Sequence, residues 1–358
     1  MKKILFVGPM TPPIHGQSIA FEEIYTKTKF TKYLINQNFE NMSLLKKILA
    51  TSWSLTKLTY VLIVHKVDIV YFTCSRSKFG SLKDIYLLKI SKLFNKKIIN
   101  HLHGTAMDEF YNSLSPIHQK LLYSSYNKID CSIVLLPSMI EQFTHLWPNM
   151  RVDVVANFYD DSLNTIHEKK ENDIIQLLYL SNIIASKGIF DLLDALKIIE
   201  KKGIEYKLSI AGNFIADENT SSLKIKEMFM EEISDNKHIE YLGTVFGEDK
   251  KILLEKSDIF ILPTYHKTEA FPISILEAMR AGNVIITTQH NYLPEIVFTE
   301  NGSLVPIKNS KAIADEIFKY TENSFLKKEI QYFNMKYAEN NFSATAYIEK
   351  LNNLFNQI

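Results

Sequence analysis

The sequence predicts an α/β protein of two tandem units, each a mostly parallel sheet covered by helices on both faces. Three observations lead there. The chain has 358 residues, beyond the length at which one hydrophobic core keeps growing, so two domains are expected. Short apolar runs alternate with helical patterns along its whole length. That alternation breaks once, in the polar stretch 162–173 with its HEKKEND run, and then restarts.

The elements follow in order. Residues 4–7 read as a buried strand, followed by a loop to Gln17 and a helix over 18–29. Further strands are expected at 69–72, 98–101, 132–135 and 152–155, with helices at 43–64, 81–93 and 116–127 between them. Beyond the polar stretch come a strand at 174–180 and a helix at 188–202, in which Ile189, Leu192, Leu193, Leu196 and Ile199 share one face and Gly203 supplies the stop. A strand at 207–211, a helix at 221–234, a strand at 238–242 and a helix at 248–256 continue the pattern. The strand 259–263 leads into a helix over 272–281, stopped by Gly282, and then the strand 284–287. From about residue 312 the tail is helical. The expected domains are 1–165 and 172–335, with a helix over 336–358 packing back on the first.

Composition narrows the function. With 46% hydrophobic, 12% aromatic and 23% charged residues, large-scale disorder is excluded. Forty-one Lys and Arg against forty Asp and Glu lack the basic excess of a nucleic-acid binder, so no nucleic-acid partner is expected. Cys74 and Cys131 suit a reducing compartment, and the N-terminus MKKILFVGPM is too short in apolar residues for a signal peptide. No run of about 18 apolar residues occurs. The expectation is a cytoplasmic enzyme-sized protein, with its ligand outside the carboxyl ends of the strands and between the two domains.

The most informative stretch is TEAFPISILEAMRAGNVIITT, beginning at Thr268. Glu269 lies in the loop after a strand, and Pro272 suits a first helical turn because its missing N–H costs nothing there. Seven residues separate Glu269 from Glu277, which places one carboxylate at the helix mouth and the other about two turns on, along its flank. The N–H groups of Ala270, Phe271, Ile273 and Ser274 point towards an anion at that mouth, and the helix dipole favours one. Taken alone, the pair is equally consistent with a cap and an exposed helix residue.

With its neighbours, E-A-F-P-I-S-I-L-E-A-M-R-A-G resembles the glycosyltransferase family 4 motif, a Glu-x7-Glu pattern commonly written EGFGxxxxEAMAxG. LPEIV (293–297) and NGSLVP (301–306) resemble the family's ending, and the likeness covers about 174–323 well and the N-terminal half loosely. The resemblance implies the GT-B fold: two facing Rossmann-like α/β domains with parallel sheets and an interdomain cleft. It implies that Glu269 holds donor-sugar hydroxyls, that N–H groups of Ala270, Phe271, Pro272's neighbours and Ile273 hold phosphates, and that Glu277 holds the ribose. Ala270 stands where the family usually has Gly, and its methyl narrows the donor pocket.

Three more segments carry chemistry. LSNIIASKG (180–188) resembles the family's GRLxxxKG loop: Lys187 matches the Lys that neutralises a leaving diphosphate, and Asn182 replaces the usual Arg. GPMTPPIHGQS is not G-x-G-x-x-G, which removes the main support for a nicotinamide cofactor. Gly16 allows close backbone approach there, with His15 in place of a second glycine. In HLHG (101–104), followed by Asp108, the family's functional His corresponds to His103 in preference to His101. Gly212 faces the nucleotide at a strand end, Val245 and Phe246 frame the base, Asn157 resembles an interdomain turn, and Tyr265 and His266 border the donor sugar.

No D-x-D motif and no metal-ligand cluster at zinc spacing occur, so a metal-free site is expected, with no cofactor beyond the nucleotide diphosphate sugar as substrate. By the resemblance, transfer retains anomeric configuration. The stretch 46–66, with Trp53 among lysines, is an amphipathic basic segment suited to a membrane surface or, equally, to the core of its domain. A saccharide or lipid-linked saccharide acceptor follows in the first case, as in cell-surface polysaccharide or lipopolysaccharide assembly at the inner face of the membrane. Rival readings are a UDP-sugar 2-epimerase-like enzyme and a catalytically silent sugar-nucleotide-binding or scaffold protein.

Overall fold

The computed structural model describes residues 1–12, 14–39, 42–165, 168–169, 173–218 and 220–358. Within the polar stretch 162–173, residues 166–167 and 170–172 lie outside the described residues. The chain divides into two compact units, Met1–Asn157 with Thr345–Ile358, and Phe158–Ala344.

The first unit runs β1 (Lys3–Gly8), α1 (Gly16–Lys27), β2 (Thr31–Asn36), α2 (Leu44–Val64), β3 (Ile69–Thr73), α3 (Lys78–Leu93), β4 (Lys97–His101), α4 (Met107–Asn112), α5 (Pro116–Tyr126), β5 (Cys131–Val134), α6 (Glu141–Thr144) and β6 (Val152–Val154). Its strands pair in parallel in the order β2-β1-β3-β4-β5-β6. The run IVYFT of β3 is buried at every position, as a parallel strand covered on both faces requires.

The second unit runs β7 (Ile175–Leu180), α7 (Ile189–Lys201), β8 (Tyr206–Ala211), α8 (Ser222–Ile233), β9 (Ile239–Tyr241), α9 (Gly247–Lys256), β10 (Ile259–Leu262), α10 (Ile273–Arg280), β11 (Val284–Thr288), β12 (Gly302–Val305), α11 (Ser310–Glu322) and α12 (Ser324–Asn341). This sheet is also parallel, in the order β12-β11-β10-β7-β8-β9. In α7 the apolar stripe predicted from sequence is the buried one. Lys169, from the polar stretch, is not simply solvated: its ammonium donates to the Leu254 and Ala281 carbonyls at 3.0 and 3.1 Å.

The tail is three helices. After α12 ends, α13 (Ala344–Gln357) is grouped from Thr345 onward with the first unit. There the Tyr347 hydroxyl donates to the Ala20 carbonyl at 3.0 Å, and Phe355 packs 5.6 Å from Tyr71, ring centre to ring centre.

The structure departs from the sequence expectation in four places. α1 starts at Gly16 because His15 caps it: Nδ1 accepts from the Ser18 N–H at 3.2 Å, and the Ser18 hydroxyl accepts from the His15 N–H at 3.1 Å. α4 is a short helix in a stretch with no apolar periodicity. β2 and β12 are edge strands that carry little apolar signal; β2 buries only Ile35. α10 starts at Ile273, with Pro272 as the extended residue before it (φ −63°, ψ 120°), so Glu277 sits in its second turn.

In each sheet the strand order reverses once, between β1 and β3 in the first and between β7 and β10 in the second. Crevices outside the carboxyl ends of strands at such reversals are the binding places of open α/β sheets. No helix among the described residues is long and apolar enough to cross a membrane.

Candidate functional site

In the second unit, the loops that leave β7 and β10 are stitched together at the reversal. The Tyr265 N–H donates to the Ser186 carbonyl at 2.8 Å, and the Ser186 hydroxyl and His266 Nδ1 are 2.8 Å apart. Gly188 makes this approach possible. It has φ +78°, and a Cβ there would overlap the Pro263 carbonyl. Gly212 does the same at the end of β8, where a side chain would overlap the Ser181 carbonyl.

The stitching places Lys187 Nζ 3.2 Å from Glu269 Oε2, with side chains 17% and 11% exposed. The same ammonium donates to the Ser181 hydroxyl at 2.9 Å. Burial lowers the pKa of His266, and the Lys187 charge adds to it against the pull of Glu269 and Asp217. The loop carrying Glu269 is held from behind by Asn291, whose amide donates to the Lys267 and Glu269 carbonyls, both at 3.0 Å. Asn291 has φ +47°, a conformation that asparagine tolerates better than most residues.

Ala270, Phe271 and Pro272 are buried and lead into α10, with Ile273 as its first residue. Ala270 is not among the residues with positive φ, so its backbone accepts a side chain where a glycine is common in the resembled motif. Glu277 is 5% exposed, and its Oε1 accepts from Lys250 Nζ at 2.7 Å. Lys250, on α9, also lies 3.5 Å from Asp160 Oδ2. Burial pushes the Glu277 carboxyl up against the pull of Lys250. Burial would lower Lys250, but Glu277 and Asp160 outweigh it and hold the ammonium charged. Val245 and exposed Phe246 directly precede α9. Asn182 is half-buried, beside the Gly212 crossing, and its carbonyl accepts from the Tyr179 hydroxyl at 3.5 Å.

In the first unit, His101 ends β4 and His103 follows it, their ring centres 3.9 Å apart. The His101 Nδ1 is 2.7 Å from the Tyr71 hydroxyl. Both ring nitrogens of His103 are shielded from solvent without a hydrogen-bond partner. Burial, with the charges of His15 and Arg76, pushes His103 down to about 3, so its ring is neutral at physiological pH. Arg76, after β3, donates to the Thr105 carbonyl, and its guanidinium lies where a Cβ on Gly104 would be. Gly16 is exposed at the first position of α1. Asp108 pairs with His145 at 3.3 Å, and Asn157 is buried at the last residue of this unit's main segment.

The candidate residues thus form two groups, one in each sheet. Lys187, Glu269, Ala270, Phe271, Tyr265 and His266 come together at the β7–β10 reversal, and Glu277 sits apart from them with Lys250. His101, His103 and Gly16 belong to the first unit, where β1 and β3 reverse the order. Arg76, Lys250, Asp160 and Asn291 are additions that no local sequence signal marks. A surface depression of about 520 Å³ lies at the opposite strand ends of the second sheet, lined by Lys207, His238 and Glu240 among others, and no motif residue lines it. Among the described residues no three His, Cys, Asp or Glu are grouped so as to hold a metal ion.

Comparison with known proteins adds a family match over part of the chain and a fold. Residues 162–338 match the glycosyl transferases group 1 family. The capsular polysaccharide biosynthesis glycosyltransferase CapM of Staphylococcus aureus is 28% identical over 198 residues, covering 55% of this chain and 50% of that protein. The N,N'-diacetylbacillosaminyl-diphospho-undecaprenol alpha-1,3-N-acetylgalactosaminyltransferase of Campylobacter jejuni is 26% identical over 156 residues, 42% of this chain and 36% of the relative. The chain therefore spans half or less of the length of these curated relatives. The crystal structure of Anabaena Alr3699/HepE in complex with UDP matches 100% of both chains with a TM-score of 0.76 at 16% identity, a likeness of fold. The family match falls within the second unit, and the two parallel α/β sheets are those of the GT-B fold.

Proposed function

We propose that this chain, with its group 1 glycosyltransferase domain, is a retaining, metal-independent glycosyltransferase of the hexosyltransferase type. It moves a sugar from a UDP-sugar to a saccharide or lipid-linked saccharide in cell-surface polysaccharide synthesis, at the inner face of the cell membrane. The observation that carries the reading is the Lys187–Glu269 pair, set by two loops at the reversal of the second sheet and beside the N-terminus of α10.

The chemistry follows from these groups. Lys187 and the N–H groups at the start of α10 neutralise the diphosphate as it leaves, which is where negative charge develops. Glu269 accepts hydrogen bonds from hydroxyls of the donor sugar, and Glu277 from the ribose. The bond from the anomeric carbon to the phosphate oxygen breaks, and the bond to the acceptor oxygen forms on the same face. The acceptor's proton passes to the departing phosphate oxygen. Neutral His103 has no hydrogen-bond partner among the described residues at either ring nitrogen, and a sugar hydroxyl that reaches it would supply one. The names of CapM and of the Campylobacter enzyme support a polysaccharide or polyprenol-linked acceptor, and the UDP bound to the Anabaena protein supports the base.

The test is a thermal-shift screen against UDP, GDP, ADP and CMP and their sugars, with and without EDTA. UDP should raise the melting temperature equally in both conditions, and Glu277→Ala should abolish the shift and turnover together. No shift with any nucleotide overturns the reading in favour of a silent scaffold, and a shift that EDTA removes overturns its metal independence. A UDP-sugar interconverted without an acceptor points to the epimerase-like alternative.

A further inference from the structure

The face of the first unit formed by α2, α3 and α5 has an unusual surface for a water-facing layer. α2 buries Thr51, Ser54, Leu58, Val61 and Leu62 along one stripe. On the opposite side of the same helix it presents a second apolar stripe to solvent. Leu45, Leu49, Trp53, Tyr60 and Ile63 are 60–72% exposed there. At 100° per residue these five fall within a quarter of the helix circumference. A helix packed on a domain normally turns charge outward on that side.

The neighbouring helices extend the stripe. α3 lies beside α2, where Thr59 and Tyr86 share a hydrogen bond of 3.0 Å, and it exposes Phe79, Leu82 and Leu93. α5 lies beside α3, with the Ser81 hydroxyl 2.9 Å from His118 Nε2, and it exposes Ile117.

Charge on the three helices has one sign. They contain eight lysines and a single carboxylate, Asp84. Asp84 is fully buried and turned inward, accepting from the Ser75 N–H at 2.7 Å. Lys46, Lys47 and Lys57 on α2, Lys78 and Lys89 on α3 and Lys120 on α5 are exposed.

We infer that this three-helix face docks on an anionic phospholipid bilayer. An exposed apolar stripe with a tryptophan, flanked only by lysines, is the arrangement that lies in a membrane interface, its apolar side among the acyl chains and its ammonium groups at the phosphates. A second copy of the chain does not fit: a two-fold contact would set lysines against lysines with no exposed carboxylate on these helices to pair them. The inference deepens the proposed use of a lipid-linked acceptor and rests on that reading for its purpose, but the surface argument is separate from the donor site.

The experiment is co-sedimentation of the full chain with phosphatidylcholine vesicles, with and without phosphatidylglycerol. Binding should be at least about tenfold tighter to the anionic vesicles and should weaken at high salt. Leu49→Ser with Trp53→Ser, and separately Lys46→Glu with Lys57→Glu, should each weaken it about tenfold or more without moving the melting temperature, since all four side chains are exposed. No binding, or equal binding to neutral vesicles, overturns the inference. So does concentration-dependent dimerisation in solution that the Leu49→Ser, Trp53→Ser pair abolishes, because that assigns the face to a second copy. Stabilisation by UDP, read on the unsubstituted chain, keeps the two readings apart: its absence with vesicle binding retained sinks the transferase reading alone.

Discussion

The two sheets carry opposite chemistry at the carboxyl ends of their central strands. At the reversal between β7 and β10 the groups are charged and mutually held: Lys187 on Glu269, and Lys250 on Glu277 nearby along α10. In the first unit the end of β4 and the loop after it carry two neutral imidazoles with ring centres 3.9 Å apart, one of them without a partner at either nitrogen, with Arg76 alongside. The same topology therefore does not dictate the same ligand. Fixed charges suit a diphosphate, whereas a neutral imidazole that both donates and accepts suits a hydroxyl.

The largest effect separates these roles directly. Lys187→Ala should lower turnover by about 10²–10³ and weaken UDP binding, because it removes the charge opposite the leaving group. His103→Ala should leave UDP affinity unchanged and raise the KM for acceptor or lower turnover by about tenfold. Steady-state kinetics with nucleotide titration decides it, and equal loss of UDP affinity in both variants would erase the distinction drawn between the two sheets.

A second contrast concerns the glycines of the two loops. Gly188→Ala should destabilise the protein by about 2 kcal/mol or more, since it combines a positive φ with overlap on the Pro263 carbonyl. Gly16→Ala, exposed at a helix start, should stay within about 0.5 kcal/mol. Urea unfolding of the two variants measures both, and a mild Gly188→Ala would mean the β7 and β10 loops are less tightly joined than their hydrogen bonds indicate.

The smallest effect is on pH dependence. His103 is pushed down to about 3 when folded, below its ordinary unfolded value of about 6.5. The unfolded chain then binds the proton first, so stability present above about pH 6.5 is lost as pH falls towards 3, by at most about 1.4 kcal/mol per pH unit for this group. Asp84, which burial pushes up to about 6, works in the opposite direction over its own range. The contribution of His103 is therefore read as the difference between the unsubstituted chain and His103→Asn from pH 6.5 to 5.5. Identical slopes would show that the imidazole is not held neutral by its site.

Much of the fold was legible because it depends on local signals. Central parallel strands such as IVYFT and IFIL are continuous apolar runs, and α7 shows its buried stripe and its glycine stop. β2 was not legible because it buries only Ile35, and β12 because its four residues GSLV are too few to show a period. The start of α1 was missed because an imidazole caps it in place of the usual hydroxyl or carboxylate.

By itself, then, the sequence determined the order of the central elements, the motif loops that carry Lys187 and Glu269, and the glycines their backbone needs, because period, burial and φ are properties of short segments. Only the tertiary structure decided that Lys250 pairs with Glu277, that Asn291 holds the Glu269 loop, that the ring nitrogens of His103 have no partner and that α13 belongs to the first unit. Each of these depends on which segments lie side by side. That is set by strand order and sheet register, and no short stretch of sequence contains it.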